Sequence, residues 1–161
     1  MTAVSIRRPA LRLPKLLREP GGLALADALK LAAQNLDAAS AGYLKVLAEG
    51  LTKVEALAAT VTDVYDQPTL TKLYDCSSEL IGVASVCGQP SIDDALYSLC
   101  DLLEHFRARQ MSDAEAIRVH VRALHLLIQH PGTAGLSGAQ AILDGLHRVS
   151  NRYAAEAAGP Q

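Results

Sequence analysis

From Leu23 onward, apolar or small side chains recur at Leu29, Ala33, Leu36, Ser40, Tyr43, Leu47, Gly50, Val54, Ala58 and Val61. Steps of three and four place these positions on one helical face. The pattern predicts a first helix of about 40 residues, roughly 60 Å long. Gly42 and Gly50 each cost a helix interior about 1 kcal/mol relative to Ala. A break near residues 37–42 is therefore the alternative.

Residues 62–68 read as a connection, because Asp63, Asp66 and Pro68 favour turns and helix starts. A second helix is expected over about residues 69–87. Leu70, Leu73, Tyr74, Ser77, Ile81 and Ala84 share one face, with Cys76, Leu80, Val83 and Cys87 beside it. So wide an apolar arc implies a helix largely surrounded by others. Gly88, Gln89 and Pro90 end it. Ser91 is a natural cap for a third helix over residues 92–109, with Asp93 and Asp94 in its acidic first turn. Ile92, Ala95, Leu96, Leu99, Leu102, Leu103 and Phe106 point one way. Asp94, Ser98, Asp101 and His105 point the other.

Ser112 and Glu115 form a capping box for a fourth helix ending near Gln129. Its expected core face is Ile117, Val121, Leu124 and Ile128. Val119 and Leu126 fall on the opposite side, one i,i+7 step apart. Either a neighbouring helix or another subunit must cover them, which makes them candidates for partner binding. After residues 131–136, Ser137 caps a last helix over 138–155, with Ile142, Leu146, Val149 and Tyr153 in line. Residues 157–161 form a tail.

The first 21 residues break the pattern. Arg7, Arg8, Arg12, Lys15 and Arg18 alternate with leucines, and Pro9, Pro14 and Pro20 resist a continuous helix. This reads as a basic arm. Leu11, Leu13, Leu16 and Leu17 suit it to strapping onto the helices, and its charge suits an acidic partner or membrane surface. The expected organisation is an arm over 1–21, a domain over 22–156 and a short tail. The fold class is all-α, a bundle of about five helices with a long first one. Short links between the later helices favour antiparallel neighbours.

Composition sharpens this picture. The chain has 161 residues, of which 50% are hydrophobic but only 4% aromatic, so Leu, Ala, Val and Ile must build the core. A net charge of −2 argues against a generic nucleic-acid binder. No apolar run approaches the ~20 residues of a membrane span, and no signal-peptide pattern opens the chain. A cytoplasmic protein is the expectation. Cys76, Cys87 and Cys100 form no C-x-x-C pair, so free thiols are expected.

Candidate chemistry is sparse. His120, His125 and His130 recur at steps of five, which turns successive rings by roughly 140° and prevents convergence on a metal. His120 is the one candidate phosphoacceptor, because histidine phosphotransfer domains are helical and carry an exposed mid-helix His. The Lys-Gly pair usual after such a His is absent, and the ordinary reading is a boundary or surface histidine. Asp63 and Gln67 have the D-x-x-x-Q spacing of some response-regulator phosphatases, but Pro68 follows and the segment reads as a loop. No nucleotide-binding glycine motif or nucleophile elbow occurs. The expectation is a protein that is not an enzyme and uses no cofactor or metal.

Arg7-Arg8-Pro9, Leu13, Leu17, Pro20-Gly21-Gly22, Ala28 and Ala33-Gln34-Asn35-Leu36 together resemble the small CheE-type proteins encoded near alphaproteobacterial chemotaxis genes. The resemblance covers about the first 40 residues and brings no catalytic residue. It implies an accessory role in chemotaxis signalling through contact with a histidine kinase or response regulator. The residues themselves point to a helical adaptor or regulator. The long first helix and two-sided fourth helix make a homodimer an expectation. Phosphotransfer through His120, or phosphatase action, is the rival reading.

Overall fold

A computed structural model describes residues 23–129 and 136–155, and all regular structure among them is helical. The arm with Arg7, Arg8, Arg12, Lys15 and Arg18 lies outside the described residues, as do His130 and the tail. The chain divides into two compact units, Met1–Asp37 and Ala38–Gln161.

Helix α1 (Leu25–Thr60) is unbroken, so neither Gly42 nor Gly50 interrupts it. Within the first unit its side chains are exposed apart from half-buried Ala28. Within the second unit, Leu47, Leu51, Val54 and Ala58 are buried, followed by Val61 just beyond the helix. The expected stripe is thus a core face only in its C-terminal half.

Helix α2 (Gln67–Ser78) stops well short of the expected end at Cys87. Ser77 and Ser78 donate their hydroxyls back to the carbonyls of Leu73 and Asp75, a local bonding that competes with helix continuation. Tighter i→i+3 bonds follow, and Gly82 adopts φ +90°, which a side chain would disfavour. The four-residue helix α3 (Val83–Val86) then forms separately. This extra element is why six helices are described rather than about five.

Helix α4 (Pro90–Arg109) starts at Pro90, with Gln89 rather than Ser91 at the cap. Proline suits the first helical turn because its missing N–H has no partner to lose there. At the other end, Gln110 adopts a left-handed φ of 54°, and the Met111 N–H reaches the Phe106 carbonyl. The seven expected core residues of α4 are all buried. α4 packs against α2 and α3 on one flank, and against α5 (Ala114–Gln129) and α6 (Leu136–Ala155) on the other. It is therefore wrapped more fully than a two-faced pattern implies. Ser98, expected on the polar side, is also buried, as is Asp93 of the first turn.

The capping of α5 differs from the expected box. Ser112 donates its hydroxyl to the Thr62 carbonyl. Asp113 instead accepts the Ala116 N–H, and Asp63 accepts the Ala114 N–H. The α1–α2 connection thereby caps a helix about 50 residues away. The inward face of α5 is centred on Ile117, His120, Leu124 and Leu127, with Val121 and Ile128 only partly buried. α6 begins at Leu136, before the expected Ser137 cap, and buries Leu143, Leu146, Ser150 and Tyr153. Phe106 meets Tyr153 edge to face, with ring centroids 5.0 Å apart.

Candidate functional site

α5 and α6 leave an apolar groove of about 330 Å³ between their outward sides. Val119, Ala123 and Leu126 form one wall, and Ala141, Ile142 and Leu146 form the other. Leu126 is 49% exposed, so the groove presents a large apolar side chain to the surface. Gly145 keeps the groove open, because no atom lies within 4 Å of where its β-carbon would stand. At the rim, Arg122 pairs with Glu115 at 3.1 Å, and Arg118 pairs with the same carboxylate at 2.9 Å. Arg118 contributes most to holding the Glu115 carboxyl below its usual pKa. The groove thus has apolar walls with Arg122 at its edge.

Val119 and Leu126, singled out by their spacing, are brought together here. The opposing wall on α6 was missed. Its one signal was Gly145 beside Ile142 and Leu146, and helical spacing alone cannot say which neighbour such residues face.

His120 lies on the other side of α5 and is fully buried. Its Nδ1 sits 2.9 Å from the Ala116 carbonyl and donates to it. Its Nε2 lies 3.1 Å from Ser98 Oγ and 3.3 Å from Ser150 Oγ, so it accepts a hydroxyl proton. Ser150 in turn donates to the Ser98 carbonyl. Burial pushes the His120 pKa down, favouring the neutral ring that this arrangement requires. His120 is neither the expected boundary histidine nor an exposed imidazole of the kind phosphotransfer needs. Ser98 is 1% exposed, so the Ser–His pair also lacks access for a substrate.

Asp63 and Gln67 do not share a helical turn. Asp63 is a loop residue engaged with Ala114, whereas Gln67 opens α2. Asp66 accepts the Thr69 hydroxyl at 2.6 Å. No cluster of three or more His, Cys, Asp or Glu residues able to hold a metal occurs among the described residues.

A second groove, of about 390 Å³, lies between α1 and α5. Leu47, Leu51 and Ile128 line it, and His125 approaches Glu55 at 3.4 Å on its wall. No spacing in the chain links Glu55 to His125, so this feature belongs to the tertiary structure.

No family model, curated protein or solved structure matches the chain. Among the described residues, no helix is long and apolar enough to cross a membrane. All three cysteines are free. Burial raises the Cys100 thiol to about 11, which keeps it protonated and a poor nucleophile.

Proposed function

We propose that this protein is a helical adaptor or regulator that acts by binding another protein, not by catalysis. Its partner in this reading is a histidine kinase or response regulator of a chemotaxis-like bacterial pathway. The observation that carries the proposal is the two-sided character of α5. One side is sealed into the core through His120, while the other presents Leu126 and Val119 in an apolar groove. The groove suits an amphipathic helix that inserts one or two aliphatic side chains beside the Arg122–Glu115 edge. The CheE-like pattern of residues 7–36 supports the choice of pathway.

The test is a calorimetric titration of the full chain against purified chemotaxis kinases and response regulators from the source organism. Binding is expected to one of the two classes. Leu126→Glu should weaken it at least tenfold without changing the far-ultraviolet circular dichroism. No binding to either class, or binding indifferent to Leu126→Glu and Val119→Glu, overturns the reading.

A further inference from the structure

The α5–α6 groove is polarised along its length. Asp113 meets Tyr153 and His120 meets Ser150, so the two helices run antiparallel. Residues early in α5 therefore lie beside residues late in α6. Arg118 and Arg122 stand toward that end on α5, and both pair with one carboxylate, that of Glu115. Two cations against a single anion leave the α5 rim with an excess of positive charge. Across the groove, Ala141, Gly145 and Arg148 recur at steps of four and three, so Arg148 continues the α6 wall toward the same end. Arg148 is exposed, its Nε donates to the Asp144 carbonyl of its own helix, and it forms no ion pair among the described residues. Asp144 lies one turn nearer the opposite end, where its carboxylate accepts the Gln140 amide. At that opposite end Leu126 and Ala141 line the groove, and neither is charged.

We infer that the groove takes an acidic amphipathic helix of a partner protein, its carboxylates over Arg122 and Arg148 and its aliphatic side chains against Val119 and Leu126. This rests on the partner-binding reading above and adds the chemistry of the partner. The seven steps from Val119 to Leu126 rise about 10 Å, two helical turns. That length admits two aliphatic side chains three or four positions apart on the incoming helix. One of them has open space over Gly145, where a β-carbon would meet no atom within 4 Å. A carboxylate one turn further along the incoming helix reaches the arginines, whose planar forks match it. Arg122 and Arg118 can both accept this second anion, because each guanidinium carries five donors and Glu115 occupies only part of them. An anionic membrane surface matches the charge but not the concave shape, which a flat bilayer does not fill.

A display library of helical peptides randomised on one face, selected on the full chain, tests the inference. Enriched peptides should carry two aliphatic residues three or four apart and a net negative charge. By fluorescence anisotropy, the tightest of them should bind less well as salt rises. Arg122→Glu and Arg148→Glu should each weaken it roughly tenfold. Exchanging its acidic residues for Lys should abolish binding to the natural chain and restore it to the double variant Arg122→Glu/Arg148→Glu, a swap that an unfolded variant cannot show. An empty selection, enrichment without acidic bias, or a swap that restores nothing overturns the inference. So does a chain that dimerises by itself in sedimentation and is split by Leu126→Glu, which would put a second copy in the groove. Binding to phosphatidylglycerol vesicles through Arg122 and Leu126, with no peptide selected, overturns it as well. A chemotaxis kinase or regulator that binds through Leu126 but is indifferent to both arginine reversals would sink this inference and leave the proposed function standing. Acidic peptides bound through the arginines, with neither protein class bound, would sink the chemotaxis reading instead.

Discussion

A β-carbon placed on Gly50 would lie 2.9 Å from Cδ1 of Leu80 and 3.0 Å from its Cγ. Leu80 is itself 4% exposed, so its isobutyl group has little room to retreat. Gly50 is therefore a point of close approach between α1 and the α2–α3 connection. Gly42, on the same helix, has nothing within 4 Å of its β-carbon position.

These two glycines should respond oppositely to alanine. Gly42→Ala gains helix propensity and should stabilise the fold by up to about 1 kcal/mol. Gly50→Ala gains the same propensity but overpacks Leu80 at a cost of about 1–3 kcal/mol, for a net loss of about 1 kcal/mol. Urea unfolding of both variants measures the contrast. Equal stabilisation would mean that Leu80 yields without cost.

His120 should make stability depend on pH in the neutral-to-acid range. Its folded pKa lies below the ordinary 6.5, chiefly because burial penalises the charged ring. As pH falls below about 6.5, the unfolded chain takes up a proton that the folded ring resists, so folding weakens. The urea midpoint should drop between about pH 7.5 and pH 5.5, and His120→Gln should flatten that drop. His120→Ala should cost about 2–4 kcal/mol near pH 7.5, because it leaves a cavity and strands the Ser98 and Ser150 hydroxyls, and less as pH falls.

Asp93 holds α3 in place from a different helix. It accepts the Gly82 N–H at 3.0 Å and the Ser85 N–H at 2.9 Å, and it also takes the Ser85 hydroxyl. Asp93→Ala should destabilise the protein by about 1–3 kcal/mol, the cost of unpaired donors. Hydrogen exchange should locate the effect, with the Gly82 and Ser85 amides losing protection first. Uniform loss across α4 and α5 would instead indicate general unfolding.

Tyr153 joins α6 to the cap of α5 by donating its hydroxyl to Asp113. That bond is the first cause holding the Asp113 carboxyl below its ordinary 3.8. Its contribution is present above that value and is lost as pH falls through the depressed one. Tyr153→Phe should cost about 1 kcal/mol at neutral pH. It should also raise the Asp113 pKa, which nuclear magnetic resonance titration of the carboxyl carbon reads directly. An unmoved pKa would assign the shift to the Ala116 and Glu115 amides instead.

Much of the fold was legible in the chain because helices repeat at a fixed period. The buried residues of α4 are the clearest case, since Ile92 through Phe106 recur at helical spacing and pack inward. The end of α2 was less legible. Cys76, Leu80, Val83 and Cys87 continue the apolar pattern, but Gly82 and the two serines divert the backbone. Periodicity records where side chains point if a helix forms. It does not record the competing bonds that end one.

Of the candidate site, Val119 and Leu126 could be picked out because two apolar residues on an outward helical face need an explanation. Their opposing wall on α6 could not be, because the contact depends on how two helices pack. The chain by itself determined the all-helical character and the two-sided α5, both set by local spacing and propensity, whereas its spacing allowed either one long α1 or a break near residues 37–42. Tertiary structure alone decided that His120 is sealed between Ser98 and Ser150, that Asp63 caps α5 and Asp93 caps α3, and that the α1 stripe is buried only from Leu47 onward. A residue's surroundings are set by which elements reach it, and those elements lie tens of residues away along the chain.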